Sequence, residues 1–184
     1  IMIYVSQLQQ QQVWDAFGRT MGRVHEFLVN GNDQNHLRLV ALGLGSNPQN
    51  RRWINASQVA SLWPSIILRV SAEQAQEYVP HGNELPLIDR VLDQQIVDIE
   101  GKRVVRVNDL QLARSGDAYL LTGVDVSFSG LLRRLGLEKP SRSLLRLFNV
   151  QQEVEVIPWE MVASVEHDNP LRLRVSQERI TKMP

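Results

Sequence analysis

Four histidines, His25, His36, His81 and His167, are the imidazoles this chain offers for general-base or metal chemistry. No two stand in a His-x-His or His-x-x-x-His pair, the spacings that place two ring nitrogens on one strand or helix face. Cysteine is absent, which removes thiolate nucleophiles, disulfides and zinc ribbons. The carboxylates Asp93, Asp98, Glu100 and Asp109 are better suited to a hard cation such as Mg²⁺, which takes oxygen ligands from loops. Alternation sets Asp98 and Glu100 on one side of a strand, but Asp109 lies beyond another strand and EF-hand spacing is missing. Asp98, Asn108 and Asp109 therefore read as turn residues that hydrogen-bond their own backbone. Gly43-Leu44-Gly45-Ser46-Asn47-Pro48 opens like a dinucleotide fingerprint, but Pro48 occupies the third glycine's place, so it reads as a loop after a strand. Ser129-Gly130 lacks the Gly-x-Ser-x-Gly elbow of a nucleophilic serine. The expectation is a non-enzyme with no catalytic residues and no cofactor, Mg²⁺ being the one ion worth testing.

A binding surface is easier to find. Ser129 to Gly136 has leucines at 131, 132 and 135 and a glycine at its end, which predicts a short amphipathic helix stopped by Gly136. Leu131, Leu132 and Leu135 would anchor a partner while Arg133 and Arg134 reach a carboxylate or phosphate on it. A second amphipathic stretch, Ser143 to Phe148, follows Pro140. Trp63 and Trp159, each beside a proline, read as lids on apolar cores.

The elements that carry these residues come in two copies. Gln11-Gln12-Val13-Trp14-Asp15 aligns with Gln94-Gln95-Ile96-Val97-Asp98, and Gly18 with Gly101, Arg23 with Arg106 and Val24 with Val107, all about 83 positions apart. Val59-Ala60-Ser61-Leu62 matches Val162-Ala163-Ser164-Val165 at a larger offset, which the inserted helical stretch near 127–148 accounts for. A period of this length suits a duplicated small domain rather than a solenoid, dividing the chain into residues 1–80 and 81–184. Within each copy the signals are those of strands. Ile96-Val97-Asp98-Ile99 and Val104-Val105-Arg106-Val107 predict a hairpin turning at Glu100-Gly101, with Gly18 as the equivalent turn glycine in the first copy. Leu37 to Leu44 and Tyr119 to Val126 predict two further strands, the latter after a Ser115-Gly116-Asp117 turn. Ser71-Ala72-Glu73-Gln74 has capping-box spacing and predicts a short helix continuing to Val79, stopped by Pro80-His81-Gly82 in the linker between copies. The core is expected at Val13, Val24, Leu42, Ile54, Val59, Ile96, Val105, Val107, Leu112, Val124 and Ile157.

The charge balance bears on partners. With 20 basic and 20 acidic residues the formal net charge is zero, against a protein that holds nucleic acid by broad phosphate neutralisation. No apolar run reaches the length that crosses a bilayer, and the chain does not open on a signal-peptide pattern, so direct membrane insertion is not expected. The ending Lys182-Met183-Pro184 reads as a cut in a longer polypeptide.

The second copy resembles a PRC-barrel domain. The residues that carry the resemblance are Leu92-Asp93-Gln94-Gln95-Ile96-Val97-Asp98-Ile99-Glu100-Gly101 and Val104-Val105-Arg106-Val107-Asn108-Asp109-Leu110-Gln111-Leu112. Gly123-Val124-Asp125-Val126, Gly130-Leu131-Leu132-Arg133-Arg134-Leu135-Gly136 and Ile157-Pro158-Trp159-Glu160 follow in the family's order. Specifically, the second copy resembles the PRC-barrel region near the N-terminus of bacterial proteins related to the MgtE magnesium transporters. The resemblance covers residues 89–166, and the first copy through the internal repeat alone. It implies an all-β fold of two tandem small PRC-like barrels in a cytoplasmic regulatory or assembly module. It further implies that the partners are helical MgtE-type and CBS domains of the same polypeptide, or a second copy. The alternatives are a sensor binding Mg²⁺ or a small anion between the barrels, and a free-standing PRC-barrel adaptor. The first copy departs from the pattern with Gly22 and His25-Glu26 where the second has Val105 and Asn108-Asp109.

Overall fold

The computed structural model describes residues 1–31, 36–97, 104–126 and 156–159. The first copy runs β1 (Met2–Tyr4), α1 (Val5–Leu8), β2 (Gln12–Trp14), β3 (Thr20–Asn30), β4 (Arg38–Leu44), β5 (Arg52–Asn55), β6 (Val59–Ser61) and β7 (Ile66–Leu68). The second runs β8 (Leu85–Pro86), α2 (Leu87–Arg90), β9 (Gln95–Val97), β10 (Val104–Arg106), β11 (Asp109–Ser115), β12 (Ala118–Asp125) and β13 (Val156–Pro158). The fold is all-β and barrel-like: a curled mixed sheet with, among the described residues, two four-residue α-helices.

Short alternating segments produce this sheet. In β3 and β4 the inward residues Val24, Leu42 and Leu44 are buried, as Leu110, Leu112 and Val124 are in β11 and β12. Of the expected core, Val13, Val24, Leu42, Ile54, Val59, Val107, Leu112, Val124 and Ile157 are all buried in one apolar cluster drawn from both copies. The side chains of Ile96 and Val105 lie outside the described residues. Each buried aliphatic side chain contributes about 1.5–3 kcal/mol.

The order of strands is more informative than their number. Along the sheet it reads β1-β11-β12-β4-β3, with β8 on the far side of β3. β12 and β4 meet antiparallel where Leu120 faces Arg38, and Leu121 N–H donates to the Leu37 carbonyl at 2.9 Å. Exchanging the two copies exchanges β4 with β12, β3 with β11 and β8 with β1, so this junction is a local two-fold axis. The outer strands are traded. β1, from the first copy, pairs with β11 of the second through Met2↔Ala113, Ile3↔Leu112 and Tyr4↔Gln111. β8, from the second copy, pairs with β3 of the first through Leu28↔Pro86 and Val29↔Leu85. Backbone hydrogen bonds repeat with the same offset: Gln10 N donates to Val24 O and Asp93 N to Val107 O, while Val24 N donates to Gln11 O and Val107 N to Gln94 O. Gln10 (φ 64) and Asp93 (φ 69), the two non-glycine residues with positive φ among those described, are equivalent positions.

Two expectations change. Ser71 to Val79 does not continue as a helix: a 3₁₀ turn covers Ala72–Gln74 and the chain then runs extended. Competing partners account for this. Ala72 N donates to Asp15 and the Glu73 carboxylate goes to Arg19, while Asn55 N donates to Gln76 O and Tyr78 N to Trp53 O, so residues 76–78 run alongside β5. Trp159 is buried as a lid should be, but Trp63 is 41% exposed. The first copy instead puts Leu62 inside, beside Tyr119, whose hydroxyl accepts the Leu62 N–H.

Candidate functional site at the seam between the copies

Each traded arm is held by one buried carboxylate. On β3, Glu26 is fully buried; its Oε1 accepts from Phe27 N and from Ile88 N at 2.8 Å, and its Oε2 from Asp89 N at 2.9 Å. At the equivalent place, Asp109 on β11 is fully buried; its Oδ1 accepts from Leu110 N at 2.9 Å and Ser6 N at 3.1 Å, and its Oδ2 from the Ser6 hydroxyl. Ser6 and Asp89 occupy corresponding positions of the two arms. The side-chain lengths match their tasks: Glu26, one methylene longer, reaches two successive amides, whereas Asp109 takes one amide and a hydroxyl. Burial raises the pKa of Glu26, and the Asp89 charge adds to that rise, against the lowering effect of the three amides. Asp89 turns instead toward Arg51, 3.8 Å away.

A third carboxylate ties down the turn after β2. Asp15 is buried and accepts from Phe17 N, Arg19 N, Ala72 N and the Arg19 side chain. Burial pushes its carboxyl up, but the amides of Arg19, Ala72 and Phe17 outweigh this and hold it at about 2. Arg19 also makes a two-pronged contact with Glu73 at 2.6 and 2.7 Å, which lowers Glu73 to about 2 and raises the guanidinium. Gly18 takes φ 79 in this turn, as expected of a turn glycine.

Beside the two-fold junction lies an open cleft of about 380 Å³ whose walls come from both copies. Arg38, Asn55, Ser57 and Tyr78 line it from the first copy, Ser115 and Tyr119 from the second. Asp117 at its rim is 3.4 Å from Arg69. Tyr78 is fixed by donating its hydroxyl to Glu84 at 2.7 Å, and Glu84 also accepts from the His81 and Gly82 amides. Burial and the Glu84 charge raise Tyr78 to about 12; Glu84, pushed up by burial, is brought down to about 2 by its donors. A volume of this size suits a small organic ligand.

Leu131, Leu132, Arg133, Arg134 and Leu135, the expected docking surface, lie outside the described residues, as do Asp98, Glu100, Gly101 and His167. Asp109 is not a turn residue: it is a strand residue that reaches across the seam. Asp93 pairs with Arg106 at 2.8 Å on its own copy, so Asp93 and Asp109 serve different tasks. His25 is half-buried in β3, His36 is exposed and His81 contacts Glu84 at 3.2 Å. Among the described residues no group of three or more His, Asp or Glu side chains is placed to hold a metal ion. No described helix is long and apolar enough to cross a membrane. The residue missed by the sequence is Glu26. Its signal is an acid next to Phe27-Leu28-Val29 in a stretch from Val24 to Val29 that is apolar apart from His25 and Glu26, where a strand interior ordinarily excludes charge.

Against known proteins, no family model matches the chain, and no curated protein matches it.

Proposed function

We propose that this chain is a non-catalytic regulatory or assembly module, the two-copy PRC-barrel region of an MgtE-like cytoplasmic polypeptide, acting by docking. Its copies divide near residue 80, and its partners are a helical domain of the same polypeptide or a second copy of the module. The observation that carries the reading is the outer face of the β2–β7 pair. Trp14 and Ile67 are side-by-side neighbours there, 37% and 38% exposed, and Phe17 at the adjoining turn is 77% exposed. Large apolar side chains held outward on a sheet mark a contact surface, tryptophan above all. The buried carboxylates support the same reading, because Glu26, Asp109 and Asp15 accept from backbone amides, which is the chemistry of a scaffold. On this reading the Leu131–Leu135 stretch with Arg133 and Arg134 supplies a second contact.

Sedimentation of the full chain alone and with the helical domain tests this. Trp14→Ser with Phe17→Ser, and Arg133→Glu with Arg134→Glu, are each expected to weaken association about tenfold with no change in melting temperature. Unchanged association in both double variants overturns the docking reading. A second reading, a sensor of a small anion or Mg²⁺ at the seam, is favoured by the inter-copy cleft.

A further inference from the structure

We propose that the cleft between the copies is a binding site for a small organic oxyanion, a carboxylate or phosphate ester, with Arg38 as its anchoring cation. The proposal rests on the sensor reading and commits it to one ligand class.

Arg38 is an exposed guanidinium at the start of β4, on the cleft wall, with no hydrogen bond or ion pair to any described residue. Arg69, which reaches Asp117 on the cleft wall, is by contrast engaged, with the Val59 carbonyl and with Asp117. Donors surround Arg38. Asn55 Oδ1 accepts the Ser57 N–H at 3.0 Å, which leaves the Asn55 amide NH₂ as a donor, and the Ser57 and Ser115 hydroxyls add two more. The opposing charge at the rim, Asp117, already faces Arg69. Tyr119, also on the cleft lining, is buried with its hydroxyl accepting from Leu62 N–H, which fixes its ring as part of the apolar lining. A planar guanidinium with neutral donors and an aromatic wall is suited to an oxyanion carried on a small organic body.

The local two-fold axis supplies an internal control. Arg38 faces its own equivalent, Leu120, across the junction. Asn55 pairs with Ala41 where Pro158 pairs with Gly123, and Ala41 and Gly123 are equivalent positions opposite Leu28 and Gln111. The same backbone positions therefore carry Arg and Asn on one side of the axis and Leu and Pro on the other. The fold accepts apolar residues there, so the cation and the amide are not required by strand pairing.

The test is titration of the full chain with inorganic phosphate, acetyl phosphate and citrate, followed by calorimetry and by melting at matched ionic strength. Phosphate stabilises proteins in general by exclusion from their surface, so the quantity read is the difference between the native chain and Arg38→Leu. Arg38→Leu installs the residue that the opposite copy carries and is expected to melt unchanged. Saturable binding of a probe to the native chain, weakened about tenfold or more by Arg38→Leu and partly kept by Arg38→Lys, supports the site. Tighter binding of acetyl phosphate or citrate than of phosphate assigns the ligand to organic anions; equal affinity overturns the organic part of the proposal. Binding that Arg38→Leu leaves intact, or no binding of any probe, overturns the site. In a separate arm with magnesium chloride alone, saturable stabilisation without anion binding removes this proposal but leaves the sensor reading standing, and no response to either removes both.

Discussion

Glu26 and Asp109 stand at the same position of two copies and hold the same kind of arm, yet they do it differently. Glu26 gathers two amides of the arm at Ile88 and Asp89; Asp109 gathers one amide and one hydroxyl, both from Ser6. The surroundings follow. Opposite Glu26 on β4 is Gly43, where an added Cβ would lie 2.5 Å from the Arg51 side chain and 2.7 Å from the Trp53 ring. Opposite Asp109 on β12 is Asp125, a second buried acid. β3 runs unbroken from Thr20 to Asn30, while the second copy splits the equivalent stretch into β10 and β11 at Val107-Asn108. The lesson is that a duplicated seam needs one buried acceptor per arm, and that the donors and packing around it are free to change together.

The largest test of this comparison asks whether the copies are one body. Val24 and Val107 are equivalent and fully buried in the shared cluster. Val24→Asp or Val107→Asp is expected to cost more than about 4 kcal/mol by burying an unpaired charge, and to abolish the whole sheet in a single transition. Urea unfolding followed by circular dichroism checks this; a surviving transition of half the amplitude would show that the copies fold separately.

Next come the two clasps. Glu26→Ala leaves two part-buried arm amides without their acceptor and is expected to lose about 2–4 kcal/mol, since an orphaned buried donor costs about 1–3 kcal/mol and these two are partly reached by water. Asp109→Ala takes the acceptor from one part-buried arm amide and a hydroxyl, which can turn to another partner, and is expected to cost less, about 1–2 kcal/mol. Urea midpoints of the two variants measure the difference, and equal losses would refute the assignment of reach to side-chain length. Gly43→Ala should cost about 1–3 kcal/mol by overpacking against Arg51 and Trp53. In the Gly43→Ala, Trp53→Ala double variant the penalty of the added methyl should shrink, which a double-mutant cycle on melting data would reveal.

The smallest effect is expected from pH. Asp15, Glu73 and Glu84 are each held down to about 2 in the folded chain by their hydrogen-bond donors, below the usual carboxylate range of about 4. The unfolded chain therefore takes up protons first, and their contribution, present above about pH 4, is lost as the pH falls toward 2. Glu26, raised by burial, acts in the opposite sense, its contribution falling as the pH rises through its folded value. Urea midpoints at stepped pH should drop on the acid side, and Asp15→Asn should flatten that drop. An unchanged slope would mean that the turn after β2 does not hold Asp15 as described.

Much of the fold was legible in residue order. The offset of 83 positions reappears in the hydrogen bonds of Gln10 and Asp93 and in the clasps of Glu26 and Asp109, because equivalent residues solve the same local packing problem. The β9–β10 hairpin, the turn at Gly18 and the apolar positions of β3, β4, β11 and β12 were legible for the same reason: alternation and turn chemistry are local. The seam was not. Asp109 in isolation looks like a turn former, since what distinguishes it is Ser6, about a hundred positions earlier. The stretch from Ser71 to Val79 has helix spacing, but its amide and carboxylate are claimed by Asp15 and Arg19.

The sequence by itself determined that the chain repeats, that the stretches of β4, β9, β10 and β12 are strands, and that Leu42 and Val124 face the core. It did so because side-chain alternation along a strand and backbone preference at a turn act over a few residues. The tertiary structure alone decided that the copies trade their outer strands, that Glu26 and Asp109 hold those strands, and that Arg38 meets Leu120 at the axis. Those outcomes depend on buried donors finding acceptors far along the chain. A carboxylate cannot be left unpaired in the interior, so the contact that satisfies it is fixed only when the sheet closes around it.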